Sequence, residues 1–463
     1  MEFTLQWAAR QIGGRLVEAD GDRLVRSVTT DTRLVAPGAL FVALRGDRFD
    51  GHDFAAEAVD KGAVAVLSQR QASDYAQPLP LLVVPDTYQA LLSLAGAYRG
   101  LLPVRIVGVT GSVGKTTTKD LIAAVLSQKM KTAKTQANLN NHIGVPRTLF
   151  DMTGQETAAV VEMGMNHFGE ISALTQAVRP DIAVLTGIGV SHIENLGSRE
   201  NILQAKLEIL EGMAPEAPVI LAADNDLLGA LETLGDHRII RTSALGAPAQ
   251  VTAEQIRQDA AQSSFVLCRN GVAQAAVTLP AAGLHNVQNA LLAAAVGFEF
   301  GLTGEEIARG LAAYEPSGQR QKLSRHGDVT FIEDCYNASP TSMLAALQVL
   351  SVQPKTRAIA VLGDMLELGS LSAQAHRDVG RAAAQCCDLV FCCGCMAEQI
   401  AQSAQENGCT SLYFKNREDC AAALINRLRP GDCVLFKASH SMQFEKIIQK
   451  AAAALEEKRS DLV

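Results

Sequence analysis

The chain has 463 residues, 48% of them hydrophobic and 19% charged, with a net charge of −8. That length exceeds what a single hydrophobic core serves and calls for two to four domains. The negative balance excludes a global basic field that would draw in nucleic acid or an anionic membrane.

The first residues, Met1-Glu2-Phe3-Thr4-Leu5-Gln6-Trp7, lack a basic segment followed by an apolar run. No stretch approaches the roughly 18 apolar residues that span a bilayer. The expected location is therefore the cytoplasm, with no membrane insertion and no nucleic-acid partner.

Residues 1–84 read as a small α/β unit, with short apolar runs at 39–44, 63–67 and 81–84 and a helical stretch at 54–61. Pro103 opens a new pattern. The run 104–109 is rich in β-branched residues and too short for a helix, so it predicts a buried strand. A glycine-rich turn follows, then a helix with Leu121, Ile122, Val125 and Leu126 on one face. Strands at 158–161, 182–185 and 219–221 alternate with helices, which predicts a parallel sheet covered on both faces.

Thr303-Gly304-Glu305-Glu306 is a capping box that starts a helix, and Glu315-Pro316-Ser317-Gly318 breaks it. Beyond it, strands at 330–333, 358–362, 389–393 and 433–436 form a further α/β pattern, and the charged tail 456–463 is expected to fray. The predicted fold class is α/β with three domains, at 1–84, 85–315 and 316–463.

Of ten cysteines, nine follow residue 330. Cys387, Cys392 and Cys395 have the C-x4-C-x2-C spacing of some iron–sulfur sites, but a fourth ligand would have to come from elsewhere. The favoured reading is a buried strand ending at Gly394, with the thiols packed as small hydrophobes.

The chemistry begins at Thr110-Gly111-Ser112-Val113-Gly114-Lys115-Thr116-Thr117, between a predicted strand and a predicted helix. Gly111 and Gly114 let the backbone curl around phosphate oxygens, the helix start adds partial positive charge, Lys115 reaches the outer phosphates and Thr116 can ligate Mg²⁺. The strict phosphate-loop pattern wants glycine at 109, where this chain has Val109, so the loop is a variant of the motif. A bare glycine turn topping a sheet is the alternative. Nucleotide binding is favoured because strand, helix, lysine and threonine are all in register.

Five further segments sit in order with this loop: Asn138-Leu139-Asn140-Asn141-His142-Ile143-Gly144-Val145-Pro146, Val161-Glu162-Met163-Gly164-Met165-Asn166-His167, Gly283-Leu284-His285-Asn286-Val287-Gln288-Asn289-Ala290, Asp334-Cys335-Tyr336-Asn337-Ala338-Ser339-Pro340-Thr341-Ser342-Met343 and Gly363-Asp364-Met365-Leu366-Glu367-Leu368-Gly369. Together they resemble the Mur ligases, which build the bacterial cell-wall peptide. The last two are similar to the branch that adds the terminal dipeptide.

The resemblance implies a uridine-nucleotide domain, a central ATPase domain with a phosphate loop and a Rossmann-like C-terminal domain. It implies ATP and two Mg²⁺ as cofactors. The implied substrates are UDP-N-acetylmuramoyl-tripeptide, with lysine or diaminopimelate at its third position, and D-alanyl-D-alanine. The reaction would run through an acyl phosphate, and a monomer is expected.

By the same resemblance, Glu162 and Thr116 would be Mg²⁺ ligands, and His192 would sit beside a second ion. Lys206 would be carbamylated and so turned into an anion for the metal. Asn289 would contact adenine, with His285 and Asn286 nearby. Arg320 would reach the γ-phosphate, although Lys322 and Arg325 are close in register. Asp334 would contact ribose, with Tyr336 and Asn337 on the same side. Thr30, Asp31, Thr32, Arg33 and Arg48 would line the uridine-diphosphate pocket, and Asn138 and Asn141 would serve the substrate. For each residue the bland alternative is an ordinary strand end, helix face, turn or linker charge.

Lys437-Ala438-Ser439-His440-Ser441-Met442 departs from the family pattern, which has glycine at Ala438 and arginine at His440. Two competing functions remain open at this point: a sister ligase acting on another amino acid or on folate, and a nucleotide-gated switch that hydrolyses ATP without an amine acceptor.

Overall fold

The computed structural model describes residues 1–46, 48–316 and 321–460, with nothing said of side chains beyond 457. Its strands form three main sheets and one two-stranded ribbon. The first sheet holds β1 (Arg15–Val17), β2 (Ser27–Thr29), β3 (Ala39–Val42), β4 (Ala63–Ser68) and β5 (Leu81–Val83) in the order β1-β5-β4-β3-β2. Only β1 runs antiparallel to its neighbour. Every residue of β3, β4 and β5 is buried, as an apolar run without alternation requires. Helix α1 (Thr87–Arg99) follows.

The second sheet has nine strands. They are β6 (Arg105–Thr110), β7 (Thr132–Lys134), β8 (Ala158–Glu162), β9 (Ile182–Leu185), β10 (Val219–Ala222), β11 (Ile239–Ser243), β12 (Val251–Gln258), β13 (Ser263–Arg269) and β14 (Val272–Leu279). Their order is β14-β13-β12-β11-β10-β9-β6-β8-β7. Seven are parallel, and β13 and β14 close the edge as an antiparallel meander.

After β6 the chain goes to β7 and β8 on one side, then crosses to β9 on the other. The carboxyl end of β6 therefore opens at a topological switch point, where parallel sheets bind ligands. Helix α2 (Lys115–Leu126) leaves that point, and α3 (Gly144–Phe150) and α4 (Arg199–Leu207) flank it. Helix α5 (Leu284–Glu299) is buried along nearly its whole length against α2, because its sequence is apolar on all faces.

The third sheet holds β15 (Lys322–His326), β16 (Val329–Glu333), β17 (Arg357–Gly363), β18 (Leu389–Cys393), β19 (Thr410–Phe414) and β20 (Asp432–Lys437) in the order β15-β16-β20-β17-β18-β19. All are parallel except β15. Helix α6 (Pro340–Val352) starts at the carboxyl end of β16, and α7 (Ala397–Glu406) follows β18. Cys392 and Cys393 are core residues of β18.

Candidate active site

Two glycines shape the turn between β6 and α2. Gly111 has φ +151° and Gly114 has φ +88°. A Cβ on Gly111 would lie 2.0 Å from Thr186 Oγ1, and one on Gly114 would lie 2.7 Å from Asn289 Oδ1, so neither position tolerates a side chain. Ser112 N–H donates to Gly187 O at 2.8 Å, which ties the turn to the segment after β9. Thr118 N–H to Gly114 O, at 2.8 Å, is the first ring of α2. The amides before it have no helical acceptor, which is the arrangement that binds phosphate. Lys115 Nζ curls back onto Gly111 O at 2.7 Å.

Thr116 Oγ1 donates to Glu162 Oε2 at 2.8 Å, and Asn140 Nδ2 donates to Glu162 Oε1 at 2.8 Å. Glu162 is 1% exposed at the carboxyl end of β8, with Lys119 Nζ at 3.9 Å. Adjacent ligands of an octahedral ion with bonds of about 2.1 Å sit about 3 Å apart. The Thr116 and Glu162 oxygens match that edge, so the pair fits Mg²⁺ completed by water and phosphate oxygens. Among the described residues no three His, Cys, Asp or Glu side chains cluster to hold a metal alone.

Lys206, on α4, is 1% exposed, and among the described residues it has no hydrogen-bond or ion-pair partner. Burial pushes its amine well below the usual lysine range, and the Lys115 cation pushes the same way. Burial of this kind favours the uncharged amine, the form that adds CO₂, so the residue fits the carbamylation that the family resemblance implies. His192 lies in the loop after β9 and pairs through Nδ1 with Glu367 Oε2, from the loop after β17.

The third sheet supplies the opposite wall. Lys437 Nζ donates to Asp334 Oδ2 at 2.7 Å and to Asn337 O at 3.1 Å, with Lys437 and Asp334 both buried. The His440 ring packs 5.5 Å from that of Tyr336. Ala438 fits because Gly363 faces it: a Cβ there would lie 2.7 Å from the Ala438 methyl. His285 Nε2 accepts from Gln321 Nε2 at 2.9 Å, and Asn286 Nδ2 donates to Gln321 Oε1 at 3.1 Å, joining α5 to the entry of β15. Burial lowers the His285 pKa.

These walls enclose a cleft of about 1180 Å³ lined by Ser112, Lys115, Glu162, His192, Asp334 and Asn337, among others. Val113, Gly114, Thr117, Asn141 and Asn289 line it as well. Thr110, Gly111, Thr116 and Lys206 are buried beside it. Asn141 Oδ1 also caps α3, accepting from Gly144 N–H at 2.9 Å, whereas Asn138 is exposed outside the lining.

Thr30, Asp31, Thr32, Arg33 and Arg48 do not line this cleft; they belong to the first sheet's surface. There Arg33 holds Asp31 in a forked pair, with Nη2 to Oδ2 at 2.6 Å, and that hydrogen bonding lowers the Asp31 pKa to about 2. Arg320 lies outside the described residues. Sequence reasoning missed Lys119, and it quoted Asn140 and Glu367 without a role. A buried helical lysine beside an acid carries no spacing signal, and Glu367 acts from a sheet far away in the chain.

Three family descriptions match in chain order: the Mur ligase family catalytic domain over residues 24–99, the Mur ligase middle domain over 109–297 and the Mur ligase glutamate ligase domain over 319–440. The chain belongs to the Mur ligase family. A Mur ligase of Bacillus subtilis named UDP-N-acetylmuramoyl-tripeptide–D-alanyl-D-alanine ligase is 37% identical to it, over 96% of this chain and 97% of that one. The crystal structure of MurF from Acinetobacter baumannii superposes with a TM-score of 0.90 at 31% identity, covering 98% of this chain and 99% of that one. MurF from Thermotoga maritima in complex with ADP superposes with a TM-score of 0.83 at 28% identity, covering 94% and 99%. A Mur ligase uses ATP, and the turn between β6 and α2 has the geometry to receive its phosphates.

Proposed function

We propose that this Mur ligase joins D-alanyl-D-alanine to UDP-N-acetylmuramoyl-tripeptide with hydrolysis of ATP, a step of peptidoglycan synthesis, acting as a monomer in the cytoplasm. No helix of the described residues is long and apolar enough to cross a membrane. The observation that carries the reading is a complete phosphate loop facing the third sheet across one cleft, in a chain alike over its full length to ligases of that name.

The tripeptide carboxylate attacks the γ-phosphorus of ATP. The bond to the β–γ bridging oxygen breaks, and ADP leaves with that electron pair. The dipeptide amine then attacks the acyl carbon, phosphate departs with the acyl oxygen, and one proton is lost from nitrogen. Lys115 and the loop amides hold the outer phosphates, so the developing negative charge meets donors already in place. Asn289 is held beside Gly114 by Thr118 and faces the base, while Asp334 and Asn337 reach the nucleotide from the far wall.

Two Mg²⁺, one at Thr116 and Glu162 and one beside His192, would supply positive charge to offset the repulsion among phosphates and carboxylate. The uncharged Lys206 amine would attack the carbon of CO₂, forming an N–C bond as one C=O π pair moves to oxygen, and after nitrogen loses one proton the carbamate anion would be able to help hold Mg²⁺. Arg33 and Arg48, with Thr30, Asp31 and Thr32, take the uridine diphosphate. Arg33 must exchange Asp31 for phosphate when it does so. Asn138 and Asn141 border the tripeptide, and Arg320 serves the γ-phosphate.

Phosphate release measured with ATP alone, with ATP and UDP-N-acetylmuramoyl-tripeptide, and with D-alanyl-D-alanine added tests the reading. Turnover is expected only in the complete mixture. Steady hydrolysis without acceptor would favour the switch alternative.

A further inference from the structure

Two helices point their N-termini into the cleft from opposite walls. One is α2, from the phosphate loop. The other is α6, whose Ser339, Pro340, Thr341 and Ser342 line the cavity. Ser339 caps α6 through Ser342 N–H at 3.4 Å, and Pro340 at the first helical position has no N–H to offer. Thr341 is exposed to the cleft, and among the described residues neither its N–H nor its hydroxyl has a partner.

A second observation falls on the same spot. Ser112 is 8% exposed, and its hydroxyl has no hydrogen-bond partner among the described residues, although buried polar groups are nearly always paired. Between Ser112 and Thr341 stands Gly189. A Cβ built on it would lie 3.8 Å from Thr341 Oγ1 and 4.0 Å from Ser112 Oγ. Two unpaired hydroxyls and a helix N-terminus thus border one gap, which the missing side chain of Gly189 keeps open.

We propose that this gap is a second oxyanion site, which takes the phosphoryl group as it leaves the phosphate loop. The inference rests on the ligase reading above. Before transfer the group is held by the α2 amides and Lys115. As the bond to ADP breaks and the bond to the carboxylate oxygen forms, its oxygens meet the Ser112 hydroxyl, then the Thr341 hydroxyl and N–H at the positive end of α6. Ser112 is shared by the two ends. The site exists only when the third sheet is docked on the second, so the acyl phosphate is stabilised only in the closed arrangement.

The test is calorimetric titration of inorganic phosphate into the full-length protein saturated with ADP, for wild type, Thr341→Val and Gly189→Ala. Gly189 has no positive φ, and its Cβ contacts begin at 3.5 Å, so alanine enters without strain and fills the gap. Thr341→Val is expected to weaken phosphate binding about tenfold, the loss of one charge-assisted hydrogen bond, and Gly189→Ala by about as much because its methyl occupies the gap, while ADP affinity stays within about twofold. Wild-type phosphate affinity in Gly189→Ala or in Thr341→Val, or no phosphate binding by the ADP-loaded wild type, would each overturn the second site. Loss of ADP binding in the wild type would remove the ligase reading and this site with it.

Discussion

His192 Nδ1 and Glu367 Oε2 lie 2.5 Å apart across the boundary between the second and third sheets, and both residues hold left-handed backbone, at φ +66° and φ +62°. Non-glycine residues seldom adopt that conformation. Glu194 N–H adds a bond to Glu367 O at 3.3 Å. The pair therefore latches the loop that carries His192 to the wall that carries Asp334.

Removing the carboxylate with Glu367→Ala leaves the latch to the backbone bond alone. Glu367 is half exposed, so the contact is worth about 1 kcal/mol. The expected outcome is about fivefold lower turnover, with ADP affinity unchanged and a larger radius of gyration by small-angle scattering. An unchanged radius together with unchanged turnover would show that the latch is idle.

Lys115→Ala removes the cation from the phosphate loop while leaving both glycines and the Thr116–Glu162 bond. Turnover is expected to fall by about two to three orders of magnitude with the melting temperature little changed. Rates near wild type would contradict the loop assignment.

Lys206→Ala leaves a buried space beside Lys115 where an anion is needed. Formate or acetate is expected to restore part of the lost turnover, and the same salts should do nothing for Lys115→Ala. Absence of rescue in a folded Lys206→Ala protein counts against carbamylation.

The Asp364 carboxylate accepts three backbone N–H groups at the start of α7, from Cys395 at 2.9 Å, Met396 at 2.9 Å and Ala397 at 2.7 Å. A cap of this kind is worth about 2 kcal/mol. Asp364→Ala is expected to lower the unfolding free energy of the third sheet by that amount, seen as a lower denaturant midpoint, while leaving nucleotide binding to the phosphate loop intact. Chemical denaturation followed with and without ADP checks it.

His376 is buried and His285 is half-buried at the cleft, and desolvation lowers both their pKa values. The unfolded chain therefore takes up protons first as pH falls through about 6.5. Stability is expected to be full above that pH and to decline from about pH 6.5 downward. Thermal unfolding from pH 8 to pH 5 checks the sign, and a melting temperature that rises on acidification would contradict it.

The buried parallel strands were legible where they are uninterrupted apolar runs: the runs at 182–185 and 389–393 are β9 and β18 to the residue, whereas β7, β11 and β19, with polar or half-exposed positions, were not read. The meander β12, β13 and β14 was not, since its exposed face mixes Glu254, Gln255 and Arg257 with alanines, and no strong period marks it. In the site, Lys115, Thr116 and the two glycines could be read because phosphate binding needs them at fixed spacing. The Lys437–Asp334 pair could not, because two residues 103 apart meet only after β16 and β20 pair. Asp364 stood out as part of a functional-looking motif, and its carboxylate caps a helix.

The most direct measurement follows oxygen. UDP-N-acetylmuramoyl-tripeptide labelled with ¹⁸O in its terminal carboxylate would be turned over with ATP and D-alanyl-D-alanine, and the released phosphate weighed by mass spectrometry. Transfer of the γ-phosphoryl group from the Lys115 loop to the acid predicts one ¹⁸O in each phosphate and amide formed in equal amount. Unlabelled phosphate, or phosphate released without amide, would contradict it.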